Sequence, residues 1–328
     1  MPLDTVPLGR TGTRVTDIAF GTWRFGRETD DGDVEVDREQ AHRLLDAYAD
    51  AGGRFIDTAD MYGGGRAEEY IGDWLADRDR ESFVVASKIY WPTRDDDPNG
   101  SGLGRKHLRR QMDRILDRLG TDYVDLLYVH RWDDETPAEK FMRTLDRFVR
   151  DGKVNYLGTS TLDPNAWKVA KANEIARREG YEPFTVAQPR YNLVNREIAG
   201  NYLDMCADYD IGVVPWSPLA GGFLTGKYSR HEEPPAGSRG ATDQQFVDSY
   251  LTPENFDVLE AVEAVAEEVG ASPGQVSLAW LRQHDQVTAP IVGARTVDQL
   301  REDLAAAEIT LSDDQWMRLQ NAAGATHR

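Results

Sequence analysis

Polar and ionisable side chains interrupt short apolar runs along this chain of 328 residues. Lys88 follows Val84-Val85-Ala86, and His130 follows Leu126-Leu127-Tyr128-Val129. A charge inside such a run is costly unless it is paired. Asp57, closing the run Phe55-Ile56, is a partner for Lys88, because a buried ammonium beside a carboxylate keeps its charge. If the Tyr62 hydroxyl meets that ammonium, its phenolate form is favoured and its pKa is expected to fall from about 10. A tyrosine tuned in this way donates a proton to a carbonyl oxygen near neutral pH. His130 would hold or polarise the same carbonyl. Trp216 would offer a flat face to an aromatic cofactor ring. Together these are the parts for reducing a carbonyl with an external hydride donor.

The elements that must position them follow from hydrophobic periodicity. Near-continuous apolar runs at 17–23, 54–60, 83–90, 124–130, 154–160, 185–191, 212–217 and 288–294 predict strands buried on both faces. Amphipathic stretches at 37–51, 106–119, 137–150, 164–179 and 273–284 predict helices between them. In the first stretch, Ala41, Leu44, Leu45 and Tyr48 share one face at i, i+3, i+4 and i+7. Pro137, Pro164 and Pro273 suit a first helical turn, and Ser272 is a candidate cap. Alternation of this kind implies a parallel sheet, and eight such units close into a (β/α)8 TIM barrel of about 250 residues.

The surplus length predicts additions to that α/β frame. These are an N-terminal β-hairpin at 3–16 with Gly9 and Gly12 near its turn, an extra helix at 256–269 and a C-terminal helix at 311–323. Long loops at 93–104 and 219–252 fall at the C-terminal face, where length usually serves function. No linker divides residues 1–328, which read as a single domain. A doubly wound dinucleotide fold would need G-x-G-x-x-G after the first strand. That strand ends instead in Ala19-Phe20-Gly21-Thr22-Trp23. Barrel active sites lie at the C-terminal strand ends. Asp57, Lys88, His130, Ser160, Gln188 and Trp216-Ser217 all fall there, with Gly293-Ala294-Arg295 after the last strand.

Composition excludes other classes. Lys and Arg number 38 against 57 Asp and Glu, a formal charge of −19 that repels phosphate backbones and argues against nucleic acid as a partner. Mean hydropathy is −0.59, and no apolar run approaches the roughly 20 residues of a membrane span. Residues 1–10 lack the apolar stretch of a signal peptide. A single cysteine, Cys206, leaves no intrachain disulfide and fits a reducing cytoplasm. Only seven of the 38 basic residues are lysine, and the acids cluster at Asp30-Asp31, Asp95-Asp96-Asp97 and Asp313-Asp314. That hydrated acidic surface is expected of a halophilic cytoplasm. The histidines, His42, His107, His130, His231, His284 and His327, form no H-x-H or H-E-x-x-H, so no metal site is expected.

The stretch Phe55-Ile56-Asp57-Thr58-Ala59-Asp60-Met61-Tyr62-Gly63 resembles the aldo-keto reductase signature F-D-T-A-x-x-Y-G. Ala86-Ser87-Lys88, Val129-His130, Leu157-Gly158-Thr159-Ser160, Val186-Ala187-Gln188 and Pro215-Trp216-Ser217-Pro218-Leu219-Ala220-Gly221-Gly222 follow in that family's order, from about Leu8 to the last helix. The resemblance implies a barrel that binds NADP(H) extended, with NAD(H) left open. It implies Tyr62 as general acid/base, tuned by Lys88 and Asp57, with His130 orienting the substrate carbonyl. Ser160 and Gln188 would hold the carboxamide and Trp216 would stack on the nicotinamide, near Gly21, Thr22, Trp23 and Asp57. Ser217, Leu219 and Gly221, with the loop to Lys227, would wrap the pyrophosphate. Gly293, Arg295, Gln299, Glu302 and Asp303 would frame the adenosine.

The sequence departs from the family at named positions. Thr161 stands where many members have Asn, and Trp216 replaces the commoner Tyr or Phe. Gln299 stands where many members place an Arg on the 2′-phosphate, a task Arg295 is able to take over. Asp303 replaces a common Asn and would repel a phosphate. Trp23, Tyr90, Trp91, Arg131 and Trp132 are candidate walls for an aldehyde, ketone, sugar or alcohol substrate. Two other functions share these features. One is a cofactor-binding regulatory subunit resembling potassium-channel β-subunits. The other is a Schiff-base aldolase on Lys88, which the Asp57–Tyr62 pairing argues against.

Overall fold

The computed structural model describes residues 3–29, 31–92, 97–161 and 165–325. Asp30, Thr93, Asp95, Asp96, Pro164 and His327, named above, lie outside the described residues, as does the side chain of Thr161.

The hairpin is present as β1 (Thr5–Pro7) paired antiparallel with β2 (Arg14–Thr16), turning through Gly9 and Gly12, both at positive φ. Eight further strands run parallel. They are β3 (Ala19–Gly21), β4 (Phe55–Asp57), β5 (Val84–Ile89), β6 (Val124–Val129), β7 (Val154–Thr161), β8 (Phe184–Pro189), β9 (Gly212–Val213) and β10 (Ile291–Val292). They pair in chain order, with β10 returning beside β3. Thr288 N bonds Val213 O at 2.7 Å and Ile291 N bonds Pro215 O at 2.9 Å, which ties the approach to β10 against β9 and closes the ring. The result is a (β/α)8 barrel of parallel strands.

Helices alternate with the strands. They are α1 (Arg38–Asp50), α2 (Arg66–Leu75), α3 (Arg105–Leu119), α4 (Ala138–Arg150), α5 (Ala166–Glu179) and α6 (Asn201–Asp208). After β9 come α7 (Arg239–Thr242), α8 (Gln244–Tyr250), α9 (Pro253–Val269) and α10 (Pro273–Arg282). The last are α11 (Val297–Leu304) and α12 (Asp313–Ala325). Ala41, Leu44, Leu45 and Tyr48 form the buried stripe of α1, as their spacing predicts, and Asp37 caps it by accepting from Gln40 N. Ser272 and Gln275 close a capping box on α10 with Pro273 in its first turn.

β3, β4, β9 and β10 are shorter than predicted, and for the last two a proline is the reason. Pro215 and Pro290 lack the amide a ladder needs, so β9 and β10 are only two residues long each, while single contacts such as Trp216 N to Pro189 O at 3.0 Å continue beyond them. The stretch 219–252 is not wholly loop: it holds α7 and α8, whose short runs carry little periodicity.

The barrel interior is filled by Ala19, Phe55, Ala86, Leu126, Tyr128, Val186, Val214, Ala289 and Ile291, and Leu8 and Val15 of the hairpin join them. The hairpin therefore plugs the N-terminal end. Gly9 comes so close to β9 that an added Cβ would stand 2.8 Å from Gly212 N. That leaves the opposite end, at the C-termini of the strands, free for chemistry.

Candidate active site at the barrel mouth

Asp57 is the last residue of β4 and Lys88 the penultimate residue of β5; both are fully buried. The Lys88 ammonium uses all its donors. It bonds Asp57 Oδ1 at 2.5 Å, the Thr58 carbonyl at 2.9 Å and the Tyr62 hydroxyl at 3.0 Å. Tyr62 starts the 3₁₀ turn Tyr62–Gly65 and presents a half-buried ring. His130, directly after β6, meets that ring edge-on with centroids 6.0 Å apart. The four residues expected to act together are thus gathered at three adjacent strand ends. Gln188 on β8 completes the group by donating from Nε2 to Asp57 Oδ2 at 2.7 Å. Ser160 pairs in register with Gln188 and bonds its carbonyl at 3.2 Å.

The electrostatics differ from expectation at Tyr62. Burial pushes its phenol above the ordinary range, Lys88 pulls it down, and Asp57 and Asp60 add to the rise. The net direction is upward, so the expected fall in pKa is not what this environment produces. Desolvation of the phenolate outweighs one ammonium already shared with a carboxylate. Tyr62 is therefore held as a neutral phenol. Burial pulls Lys88 down, but Asp57 and Tyr62 carry it above its ordinary value, so the ammonium persists. Burial, then Lys88, drives His130 well below the usual histidine range, leaving a neutral imidazole with Nδ1 buried and without a partner among the described residues.

Behind this group lies a second buried ionic cluster that the sequence reading did not assign. Glu68 on α2 accepts from Ser87 Oγ at 2.6 Å and from Arg118 Nε of α3 at 2.7 Å. Gly65, at φ +103°, lets Arg118 pass: a Cβ there would stand 2.9 Å from its Cδ. Asp60, also fully buried, accepts from Gln111 Nε2 at 2.9 Å, and its Oδ1 has no partner among the described residues. The only sequence signal for this cluster was a carboxylate at a variable position of the signature.

The candidate cofactor residues occupy one side of the mouth. Trp216 is half-buried beyond β9, with the Arg190 guanidinium 6.0 Å over its ring. Ser217 is held at φ +56° by Asn192, whose Nδ2 donates to its carbonyl at 2.8 Å. Leu219 precedes a kinked 3₁₀ segment, Ala220–Thr225, in which Gly221 and Gly222 have positive φ. A Cβ on Gly222 would lie 3.1 Å from Lys227 Nζ, and one on Gly221 would lie 2.9 Å from Arg239 Nη1. Arg239 is a second cation at this turn that sequence reasoning missed. Gly226 packs on Pro273 at the start of α10, and Gln275 Nε2 of α10 bonds the Glu302 carbonyl of α11. That chain of contacts joins the turn to the adenosine candidates. Arg295 and Gln299 are exposed at the start of α11, where Gln299 Oε1 accepts from Arg295 N. Asp303 is carried up to about 7 by burial and by Glu302. Gly21 ends β3 against Ile291, Thr22 Oγ1 bonds the Asp57 carbonyl at 3.0 Å, and Gly293 is exposed beyond β10.

The proposed substrate walls divide. Tyr90, Arg131 and Trp132 line a cavity of about 570 Å³ beside the mouth, with Lys106, His107 and Asp133. Trp91 stands edge-on to His130 at 6.3 Å, with the Arg131 guanidinium 5.4 Å over its own ring. Trp23 lies instead near the β3 end, partly exposed beneath the Arg27 guanidinium at 4.0 Å.

Residues 17–323 match the family model of the Aldo/keto reductase family. An uncharacterized oxidoreductase of Bacillus subtilis is 36% identical over 96% of this chain and 94% of its own. A probable voltage-gated potassium channel subunit beta of rice is 34% identical over 92% of this chain and 90% of its own. An NADP(+) aryl-alcohol dehydrogenase of Phanerodontia chrysosporium is 35% identical over 94% of this chain and 83% of its own.

Proposed function

Because the chain belongs to the aldo/keto reductase family, we propose that it is an NADP(H)-dependent oxidoreductase that reduces an aldehyde or ketone, sugars among them, or oxidises the corresponding alcohol. The carrying observation is the ammonium of Lys88 shared between Asp57 and the Tyr62 hydroxyl. That arrangement suits proton transfer to an oxygen that becomes negative as hydride reaches the neighbouring carbon.

The residues present fit a nicotinamide dinucleotide. Lys227 and Arg239 flank the positive-φ glycines of one turn, and no ion pair to a carboxylate is formed by either among the described residues. In a chain of charge −19, two cations without a carboxylate partner among the described residues at one backbone turn suit a pyrophosphate. Ser217, Leu219 and Gly221 belong to that same cradle. Trp216 would take the nicotinamide ring, and Ser160 and Gln188 its carboxamide. Gly21, Thr22 and Trp23 would border that end; Gly293, Arg295, Gln299, Glu302 and Asp303 would border the adenosine. When bound, the cofactor supplies the hydride.

The chain's own residues do the rest. His130, neutral, donates to the substrate carbonyl and fixes its oxygen near Tyr62. Tyr62 hands over its proton. Lys88, held charged by Asp57, stabilises the phenolate left behind. Trp91 and the cavity walls Tyr90, Arg131 and Trp132 select the substrate. Cys206, buried and unpaired, is in keeping with a cytoplasmic setting.

The rice relative supports a second reading, a cofactor-binding regulatory subunit. Turnover separates the two. NADPH and NADH oxidation should be followed spectrophotometrically with a panel of aldehydes, ketones and sugars, at low and molar salt. Turnover with NADPH is the expected result. Tight NADPH binding without turnover in any condition would favour the regulatory reading.

A further inference from the structure

The ion count around Tyr62 does not close with every group charged. Three carboxyls are buried here: Asp57 on β4, Asp60 in the following turn and Glu68 on α2. Two cations face them: Lys88 from β5 and Arg118 from α3. Each cation already grips a carboxylate, Lys88 on Asp57 and Arg118 on Glu68 through both Nε and Nη2. Arg118 reaches only the backbone carbonyl of Asp60, at 3.4 Å. Among the described residues, the Asp60 side chain is left with one neutral donor, the Gln111 amide, and one oxygen without a partner. A fully buried carboxylate with a single neutral hydrogen bond and a second carboxylate nearby is strongly disfavoured against its acid form.

We propose that Asp60 is a positioning residue for the proton transfer: it works as a neutral carboxylic acid, and its ionisation switches Tyr62 to a weaker proton donor. The proposal rests on the assignment of Tyr62 above. The groups facing Asp60 are Glu68, Arg118, Gln111, Lys88 and Tyr62, and the balance among them favours the neutral form. Burial and Glu68 carry its carboxyl up to about 8, against the opposing pull of Gln111, Arg118 and Lys88. While Asp60 is neutral, Lys88 answers to one carboxylate and directs its remaining field at the phenol. Once Asp60 ionises, a second negative charge acts on Lys88 and on Tyr62, and both hold their protons harder. Donation from Tyr62 to the carbonyl then slows. The same step lowers the phenolate fraction needed for alcohol oxidation, so both directions lose rate.

Two measurements on the full chain test this. The infrared carbonyl stretch of a protonated carboxylic acid, read without substrate, should be present at neutral pH and titrate away with a midpoint near 8. The component with that midpoint should be missing in Asp60→Asn, where the band of Asp303, carried up to about 7, remains. The kcat/KM for aldehyde reduction should fall through the same midpoint in the wild type. In Asp60→Asn that limb should move alkaline by about one pH unit or more. Gln111→Leu removes a donor to the carboxylate form and should shift both the band and the limb upward, which serves if Asp60→Asn does not fold. An acid band at neutral pH that Asp60→Asn leaves unchanged, or superimposable pH profiles for wild type and variant, would overturn the proposal. Because the infrared band needs no turnover, an inactive chain would still decide the state of Asp60.

Discussion

Gln188 and Asp57 join opposite sides of the barrel: β8 and β4 stand four places apart in the ring of eight, yet Gln188 Nε2 reaches Asp57 Oδ2 at 2.7 Å. The amide sits on one carboxylate oxygen while Lys88 sits on the other. Gln188 thereby opposes the upward push of burial on the Asp57 carboxyl. It also ties the strand expected to hold the cofactor amide to the group expected to move the proton. Gln188→Met keeps the volume but leaves Oδ2 bare. The change should cost about 1–3 kcal/mol of stability, the penalty of an unsatisfied buried acceptor. It should lower kcat about tenfold or more as Asp57 loses its hold on Lys88. Urea denaturation and steady-state kinetics read the two effects. An unchanged kcat would separate Asp57 orientation from catalysis.

Tyr62→Phe removes the hydroxyl and leaves the ring that packs on His130. Reduction should fall by about 10²–10⁴-fold, the usual contribution of a positioned general acid. NADPH affinity, read by quenching of protein fluorescence, should stay within about twofold, because no cofactor contact is assigned to that oxygen. A variant that keeps most of its rate would reject Tyr62 as the donor.

Much of this site was legible because barrel strands advertise their ends. A buried strand is apolar on both faces, so Lys88 after Val84-Val85-Ala86 and His130 after a run of Leu, Tyr and Val stand out. Asp60, Glu68 and Arg118 did not stand out, for the opposite reason. They lie on a turn and on helix faces where charged residues are ordinary, and only packing of α2 against α3 buries them together. Arg239 was hidden in the same way, on a four-residue helix inside a polar stretch too short to show a period. The direction of the Tyr62 shift was illegible as well, because it depends on how deeply the hydroxyl is desolvated, which no residue spacing reports.

His107 offers a test of stability against pH. It is buried on α3, both ring nitrogens lack partners among the described residues, and burial with Arg110 and Arg114 brings it down to about 4. The unfolded chain takes up its proton near pH 6.5 and the folded chain near 4, so the unfolded state binds more protons between those values. Stability therefore rises with pH across that window and is lost as pH falls. His107→Leu should raise Tm at pH 4.5 relative to the wild type and change it little at pH 7.5, as thermal melts monitored by circular dichroism will read. Equal effects at both pH values would mean that His107 does not stay neutral in the fold.

Asp303 sets a pH-dependent choice between cofactors if α11 borders the adenosine end. Its carboxyl is carried up to about 7 by burial, with Glu302 adding to the rise. Above that value it is negative and repels a 2′-phosphate; below it the repulsion fades. The ratio of NADPH to NADH affinity should therefore fall as pH rises from 6 to 8, by about three- to tenfold for one partly screened charge. The 2′-phosphate takes on charge of its own near pH 6, which in a favourable site would push the ratio the other way. Asp303→Asn should abolish the decline and favour NADPH at alkaline pH. Dissociation constants for both nucleotides, measured at fixed ionic strength across that range, read the effect directly. A ratio that is flat in the wild type, or identical in the variant, would place the 2′-phosphate away from Asp303 and leave Arg295 without a nearby competitor for it.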